Sequence, residues 1–174
     1  MEPIAREILK VFFQQPTGQF AYREIERMTG FSIGTVSRYI KALVKEGFVK
    51  SKKSANSILV SANLNNSLFI HIKRAYNIEA LYSSGLIECL LTALRPDTLV
   101  LFGSYSKGED DEGSDIDIAS IHGRVDLPDI RRFEKVLKRK VNIVQIKSPK
   151  DSENEFINSL ANGIVLAGAL EVVQ

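Results

Sequence analysis

The sequence predicts two domains of different class: a small helical domain closed by a β-hairpin, then an α/β domain with buried strands. Three observations predict it. The formal net charge of +2 averages two opposed parts, because residues 1–66 hold ten basic and five acidic side chains and the remainder holds 13 and 16. The apolar period is helical up to about residue 94 and then changes to short continuous apolar runs. A polar, turn-prone stretch, Asn63 to Asn66, lies between the basic and acidic parts. At 174 residues and 44% apolar content, each part has enough apolar surface for its own core. The single cysteine, Cys89, excludes an intrachain disulfide framework and a Cys-rich structural zinc site. Charges interrupt the first residues where a signal peptide would be apolar, and no apolar run reaches the ~18 residues of a membrane span. A cytoplasmic protein with no membrane partner is expected.

In the first part, Ile4, Ile8, Leu9, Val11 and Phe12 fit one face of a helix ended by Pro16-Thr17-Gly18. A second helix runs from Tyr22 to Thr29, with Ile25 and Met28 inward, and stops at Gly30. Ser32 is placed to cap a third helix, which carries Val36, Ile40, Leu43 and Val44 to Gly47. Phe48-Val49 and Ile58 to Val60 are short extended runs separated by the polar stretch Lys50 to Ser57.

A long helix follows from Ser67 to Ser83, with Leu68, Ile72, Ala75, Ile78 and Leu81 on one face. Leu86 to Leu94 forms another after Gly85. Three buried strands come next, Thr98 to Phe102, Ile116 to Ile121 and Val141 to Ile146, with a helical spacing from Leu127 to Lys138 between the last two. The tail from Glu153 reads as a helix, a break at Gly163 and a final apolar element.

The order helix, helix, tight turn, helix, hairpin, with the segment Ser32 to Val49, resembles the winged helix-turn-helix transcription regulators. The resemblance implies that residues 1–62 bind DNA. Thr35, Ser37, Arg38 and Lys41 fall away from the Val36, Ile40, Leu43 stripe and can reach bases or phosphates. Lys52 and Lys53, with Lys50, stand where the wing would meet the backbone.

The segment Leu101 to Ile118 carries the sharper chemistry. Asp115 and Asp117, two apart in an extended run, put both carboxylates on one face, roughly 7 Å apart along it. Hard oxygens so placed suit Mg²⁺ or Mn²⁺, and a pair of such ions ~4 Å apart is the usual device for phosphoryl transfer. Gly103 permits a tight turn at a strand end, and Ser104 opens a helix whose N–H groups could hold phosphates. Lys107 could add a cation. Gly103-Ser104, Gly108 and Ser114-Asp115-Ile116-Asp117 together match G-S-x3-G-x5-S-D-x-D. That pattern resembles the active-site motif of minimal nucleotidyltransferases of the DNA polymerase beta superfamily.

The resemblance implies a nucleoside triphosphate (NTP) substrate, with Gly103, Ser104, Lys107 and Ser114 on the nucleotide and Asp115 and Asp117 on the metal. It also implies a mixed sheet with flanking helices over residues 86–174, leaving 63–85 as a helical connector. The family's third carboxylate falls on Asn142, in Val141-Asn142-Ile143-Val144. An amide oxygen ligates a metal only weakly and accepts no proton from an attacking hydroxyl. Asp126 and Asp129, beside Pro128, are poor replacements. Two functions stay open: an enzyme transferring a nucleoside monophosphate, and a transcription regulator whose weakened nucleotidyltransferase domain senses nucleotide or mediates dimerisation. Family resemblance further implies a small helical toxin-like protein as a possible partner, and winged-helix regulators suggest a homodimer.

Glu109 to Glu112 read as an acidic loop. Arg131, Arg132, Lys135, Lys138, Arg139 and Lys140 form a basic run whose ordinary reading is a solvated helix face, with nucleic acid or nucleotide phosphates as the alternative. His71 and His122 have no partner at metal-ligand spacing and read as structural.

Overall fold

The computed structural model describes residues 1–54, 57–147 and 153–170. The chain divides into two compact units, Met1–Lys73 and Arg74–Gln174, with the division inside a helix. The tip of the expected polar stretch, residues 55 and 56, and the end of the expected tail, residues 171–174, lie outside the described residues.

In the first unit, α1 (Pro3–Gln14) is followed by β1 (Gln19–Ala21), α2 (Tyr22–Thr29), α3 (Ile33–Lys45), β2 (Val49–Ser54) and β3 (Ser57–Ala62). The strands form one antiparallel sheet in the order β1-β3-β2. The hairpin strands run further into the polar stretch than the apolar residues suggest, because pairing with Ser57 to Val60 satisfies the backbone of Ser51 to Ser54. Strand β1, only three residues long, has no periodicity to reveal it. Ile8, Leu9, Phe12, Ile25, Val36, Ile40 and Leu43 are fully or almost fully buried, and Phe20 packs edge-on against Phe12 at 5.8 Å between ring centres. Met28, expected inward, is 47% exposed, since the eight-residue α2 buries only Ile25.

The long helix α4 (Ser67–Ser83) has the expected bounds but another inward face. Phe69, Lys73, Asn77 and Leu81 are buried, and Leu68 is exposed. These four are spaced by one helical turn, so the rotation follows Phe69 and Leu81 and carries two polar residues inward. Apolar spacing alone could not distinguish this face from the neighbouring one.

The second unit continues with α5 (Leu86–Leu94), β4 (Thr98–Phe102), α6 (Gly103–Lys107), β5 (Ile116–Ile121), α7 (Arg131–Leu137), β6 (Val141–Ile146), α8 (Asn154–Ala161) and β7 (Ile164–Ala167). Its sheet has the order β6-β5-β4-β7, with β5 and β6 parallel and the other pairs antiparallel. Both faces are covered. Leu99, Leu101, Ile116 and Ile118 pack with Leu86, Leu90, Leu94 and Phe133, while Val100, Ala119 and Ile121 pack with Leu160. Strands buried on both sides lose the polar alternation of a half-exposed sheet, which is why they read as continuous apolar runs. The exception is the β5–β6 end, where Asp115, Asp117 and Asn142 come to the surface.

Candidate functional site

The two acids meet at the start of β5. Asp117 pairs across the sheet with Phe102 on one side and Asn142 on the other. Asp115 stands one residue before the strand. The Asn142 amide nitrogen donates to Asp115 Oδ2 and to Asp117 Oδ1, both at 3.1 Å. The parallel register therefore puts Asn142 beside the acid pair, at the position for which the family resemblance led us to expect a third carboxylate. Asp129 does not fill the place: its carboxylate binds Arg131 Nε at 2.9 Å and Arg131 Nη2 at 2.6 Å. That guanidinium holds the Asp129 carboxyl down at about 2. Among the described residues, no group of three or more His, Cys, Asp or Glu side chains is arranged to hold a metal ion.

Gly103 turns the chain from β4 into α6 at φ +74°, where an L side chain would be strained. A Cβ there would lie 2.6 Å from Asp117 Oδ2, so the missing side chain is what lets the turn sit against the carboxylate. Ser106 fastens the turn through a 2.7 Å bond from its hydroxyl to the Gly103 carbonyl. Lys107, at the end of α6, is exposed.

Ser114 is engaged within its own loop. Its hydroxyl donates to Asp111 Oδ1 at 2.9 Å and accepts from the Asp111 N–H at 3.0 Å. The Ser114 hydroxyl, with the Gly113 N–H, lowers the Asp111 carboxyl below its ordinary range. The loop before the acid pair is thus folded by its own side chains.

The acidic loop and the basic run are not wholly solvated. Asp110 is buried, accepts from the Asn77 amide at 2.7 Å and lies 3.8 Å from Arg139 Nη2. Asn77 also donates to the Tyr105 carbonyl at 3.0 Å. Burial, with the neighbouring Asp110 charge, raises the Tyr105 phenol well above its ordinary value. The sequence reading passed over Asn77 and left Asp110 in an acidic loop and Arg139 in a basic run read as solvated. Their only sequence signal is an amide on a helix face that the correct rotation of α4 turns inward. His122 also gains a partner, with Nδ1 3.0 Å from Asp97 Oδ2.

In the N-terminal unit, Ser32 caps α3 as expected, accepting from the Thr35 N–H at 3.3 Å. A second acceptor comes from outside the helix: Glu26 Oε1 takes the Ile33 N–H at 2.9 Å. Glu26 thereby ties α2 to the first turn of α3 across Gly30, which has φ +74°. Arg38 and Lys41 are exposed, Thr35 and Ser37 half-buried. The Arg38 guanidinium stacks 4.8 Å from the Tyr39 ring centre. Thr35 Oγ1 lies 3.0 Å from Ser32 Oγ, so its hydroxyl serves the cap as well as the surface. Lys52 and Lys53 are exposed on β2 opposite Leu59 and Ile58.

Residues 85–169 match the sequence profile of the family described as polymerase beta, nucleotidyltransferase. Residues 1–50 match that of winged helix-turn-helix DNA-binding domains. A comparison with curated proteins finds no match. No helix among the described residues is long and apolar enough to cross a membrane.

Proposed function

The chain joins a winged helix-turn-helix domain to a nucleotidyltransferase domain of the polymerase beta type, and from that pairing we propose a DNA-bound nucleotidyltransferase that moves a nucleoside monophosphate from an NTP to a hydroxyl acceptor. One observation carries the reading: Asp115 and Asp117 meet at the start of β5 through the Asn142 amide, with the Asp117 carboxylate close against Gly103, where a Cβ would crowd it. Two half-exposed carboxylates suit a hard divalent ion such as Mg²⁺ or Mn²⁺, and the Asn142 amide, turned over, would add a weak oxygen ligand. When bound, such an ion neutralises phosphate charge and activates the attacking hydroxyl. Gly103, Ser104 and Lys107 lie on the nucleotide side of the acid pair in this reading. Ser114 shapes the loop that delivers Asp115.

Asn142 favours a second reading. With its N–H on both carboxylates, it satisfies them without a cation, and it supplies neither charge nor a proton acceptor. A regulator that binds nucleotide and transfers it slowly or not at all would have this arrangement. In either reading the N-terminal domain binds DNA through Arg38 and Lys41, with Ser37 beside them. A toxin-like partner protein and a homodimer are further expectations from the family resemblance.

Incubation with labelled NTP and Mn²⁺ separates the two. Label transferred to an acceptor, and lost in Asp115→Asn and Asp117→Asn, supports the enzyme. Nucleotide binding without transfer supports the regulator, and no nucleotide binding at all defeats both.

A further inference from the structure

Five residues ahead of Asp115, the loop that leads into β5 is held from inside the fold. The Asp110 side chain is 1% exposed, and that of Arg139, which faces it at 3.8 Å, is 9% exposed. Asn77 is buried as well, and its amide joins the Asp110 carboxylate at 2.7 Å to the Tyr105 carbonyl at 3.0 Å. One buried network thus joins α4, α6, the loop before β5 and the turn before β6. Among the described residues, Asp110 is the one buried acid.

The two chain entries that this network joins are those that carry the acid site. Arg139 lies three residues ahead of Asn142. The next residue, Lys140, accepts the Ile116 N–H on its carbonyl at 2.8 Å, and Ile116 stands between Asp115 and Asp117. Glu134 braces the same turn by accepting from the Val141 N–H at 3.1 Å. On the other side, the Asp111 and Ser114 side chains close the rest of the loop on itself. The ladder between β5 and β6 fixes the register; Asp110 and Arg139 fix how the chain approaches its first rung. A buried ion pair is a costly source of stability, since desolvation offsets most of the attraction and packed apolar side chains serve as well. What a satisfied buried network supplies is one defined geometry.

We propose that Asp110 is a positioning residue for the acid pair: held by Asn77 and Arg139, it fixes the chain entering β5 so that Asp115 and Asp117 meet the Asn142 amide. Its effect on nucleotide rests on the transferase reading; its effect on side-chain geometry does not. Asp110→Asn keeps the size and an acceptor for Asn77 but removes the charge, and Asn77→Ala removes the amide. Leu90→Ala is the control, because Leu90 is buried in the apolar core and bonded to none of these groups. Each full-chain variant is compared at a temperature where urea titration shows it folded. Heteronuclear NMR without metal follows the side-chain amide signals of Asn142, assigned by their loss in Asn142→Asp. Calorimetry measures NTP binding with Mn²⁺ separately.

Asp110→Asn and Asn77→Ala should both shift the Asn142 amide signals and weaken NTP binding about tenfold, since a displaced supporting group loosens the groups it holds. Leu90→Ala, though less stable, should keep both at wild-type values. At 3.8 Å the contact with Arg139 is one of charge, so Arg139→Lys should stay close to wild type and Arg139→Met should match Asp110→Asn. A variant that does not fold is replaced by another of the three, because each breaks the same network. Unchanged Asn142 signals in Asp110→Asn overturn the proposal. So does an equal loss of NTP affinity in Leu90→Ala, which would make Asp110 a contributor to stability alone. Shifted signals with full NTP affinity overturn it as well, because the geometry would then not matter to the ligand. If the wild-type chain binds no NTP, the transferase reading fails, and the Asn142 signals alone decide the positioning role.

Discussion

A Cβ on Gly103 would come within 2.6 Å of Asp117 Oδ2, at a backbone φ of +74° that an L side chain rarely adopts. Two separate constraints thus meet at one residue. Gly103→Ala should strain the turn by about 1–2 kcal/mol and push the carboxylate aside. The expected result is Mn²⁺-nucleotide binding weakened about tenfold or more by calorimetry, together with a lower melting temperature. Lower stability with unchanged nucleotide affinity would confine Gly103 to a folding role.

Asn142→Asp exchanges two hydrogen bonds onto Asp115 and Asp117 for a third negative charge. Without metal the variant should melt at a lower temperature, because three carboxylates then repel one another. Added Mn²⁺ should restore more stability to it than to wild type, with at least tenfold tighter metal binding. Equal Mn²⁺ affinity in the two proteins would show that Asn142 does not limit the metal site.

Asp110 is buried with Asn77 and Arg139 around it. Asp110→Ala removes an acceptor from Asn77 and an anion from beside Arg139. Denaturation in urea should show a loss of about 3 kcal/mol, as for other buried charges deprived of a partner. A loss below about 1 kcal/mol would mean that water takes over the role of Asp110.

The Asp129–Arg131 pair sets a pH dependence. Its carboxyl is lowered from 3.8 to about 2, so the folded state favours the ionised form. The resulting stability is present above the unfolded value of 3.8 and is lost as pH falls through about 2. The pair is exposed, so the effect is small. Melting temperatures of wild type and Asp129→Asn should differ slightly at pH 5 and converge toward pH 2. A gap that stays constant over this range would remove the pair from the acid response.

Lys52 and Lys53 are neighbours on β2, and strand geometry points them to opposite faces. A duplex meeting the wing on one face should engage one of them. Replacing both by Ala should reduce the salt slope for a mixed-sequence DNA duplex by about one, at ~0.9 per phosphate. A change near two would mean that the hairpin enters a groove and touches both walls. No change would take the wing out of the DNA interface.

Much of this molecule was legible in one dimension. Helix and strand bounds from Tyr22 to Thr29, Leu86 to Leu94 and across the three long strands agree with the structure, because apolar period and glycine breaks are local properties. The motif from Gly103 to Asp117 was legible for the same reason: its members lie within one turn and the loop that follows. Asn142 as the counterpart of a third carboxylate is what the family resemblance implies; the structure pairs Asn142 with Asp117 across β5 and β6.

The rest was decided by contacts between distant segments. Rotation of α4 depends on what its ends pack against, so Asn77 turned inward and Leu68 outward. Once inside, Asn77 needed acceptors, which Asp110 and Tyr105 supply from about thirty residues away. Asp110 and Arg139 look like solvated charges in sequence, since nothing local distinguishes a buried ion from an exposed one. The same holds for the basic run. The sequence by itself determined that six cations follow one another closely between Arg131 and Lys140. Only the tertiary structure decided that Arg139 packs beside the buried Asp110 and that Lys135 and Lys138 share a groove with Asp115. Charge is written into the sequence, but its surroundings are set by the strands and helices that close over it.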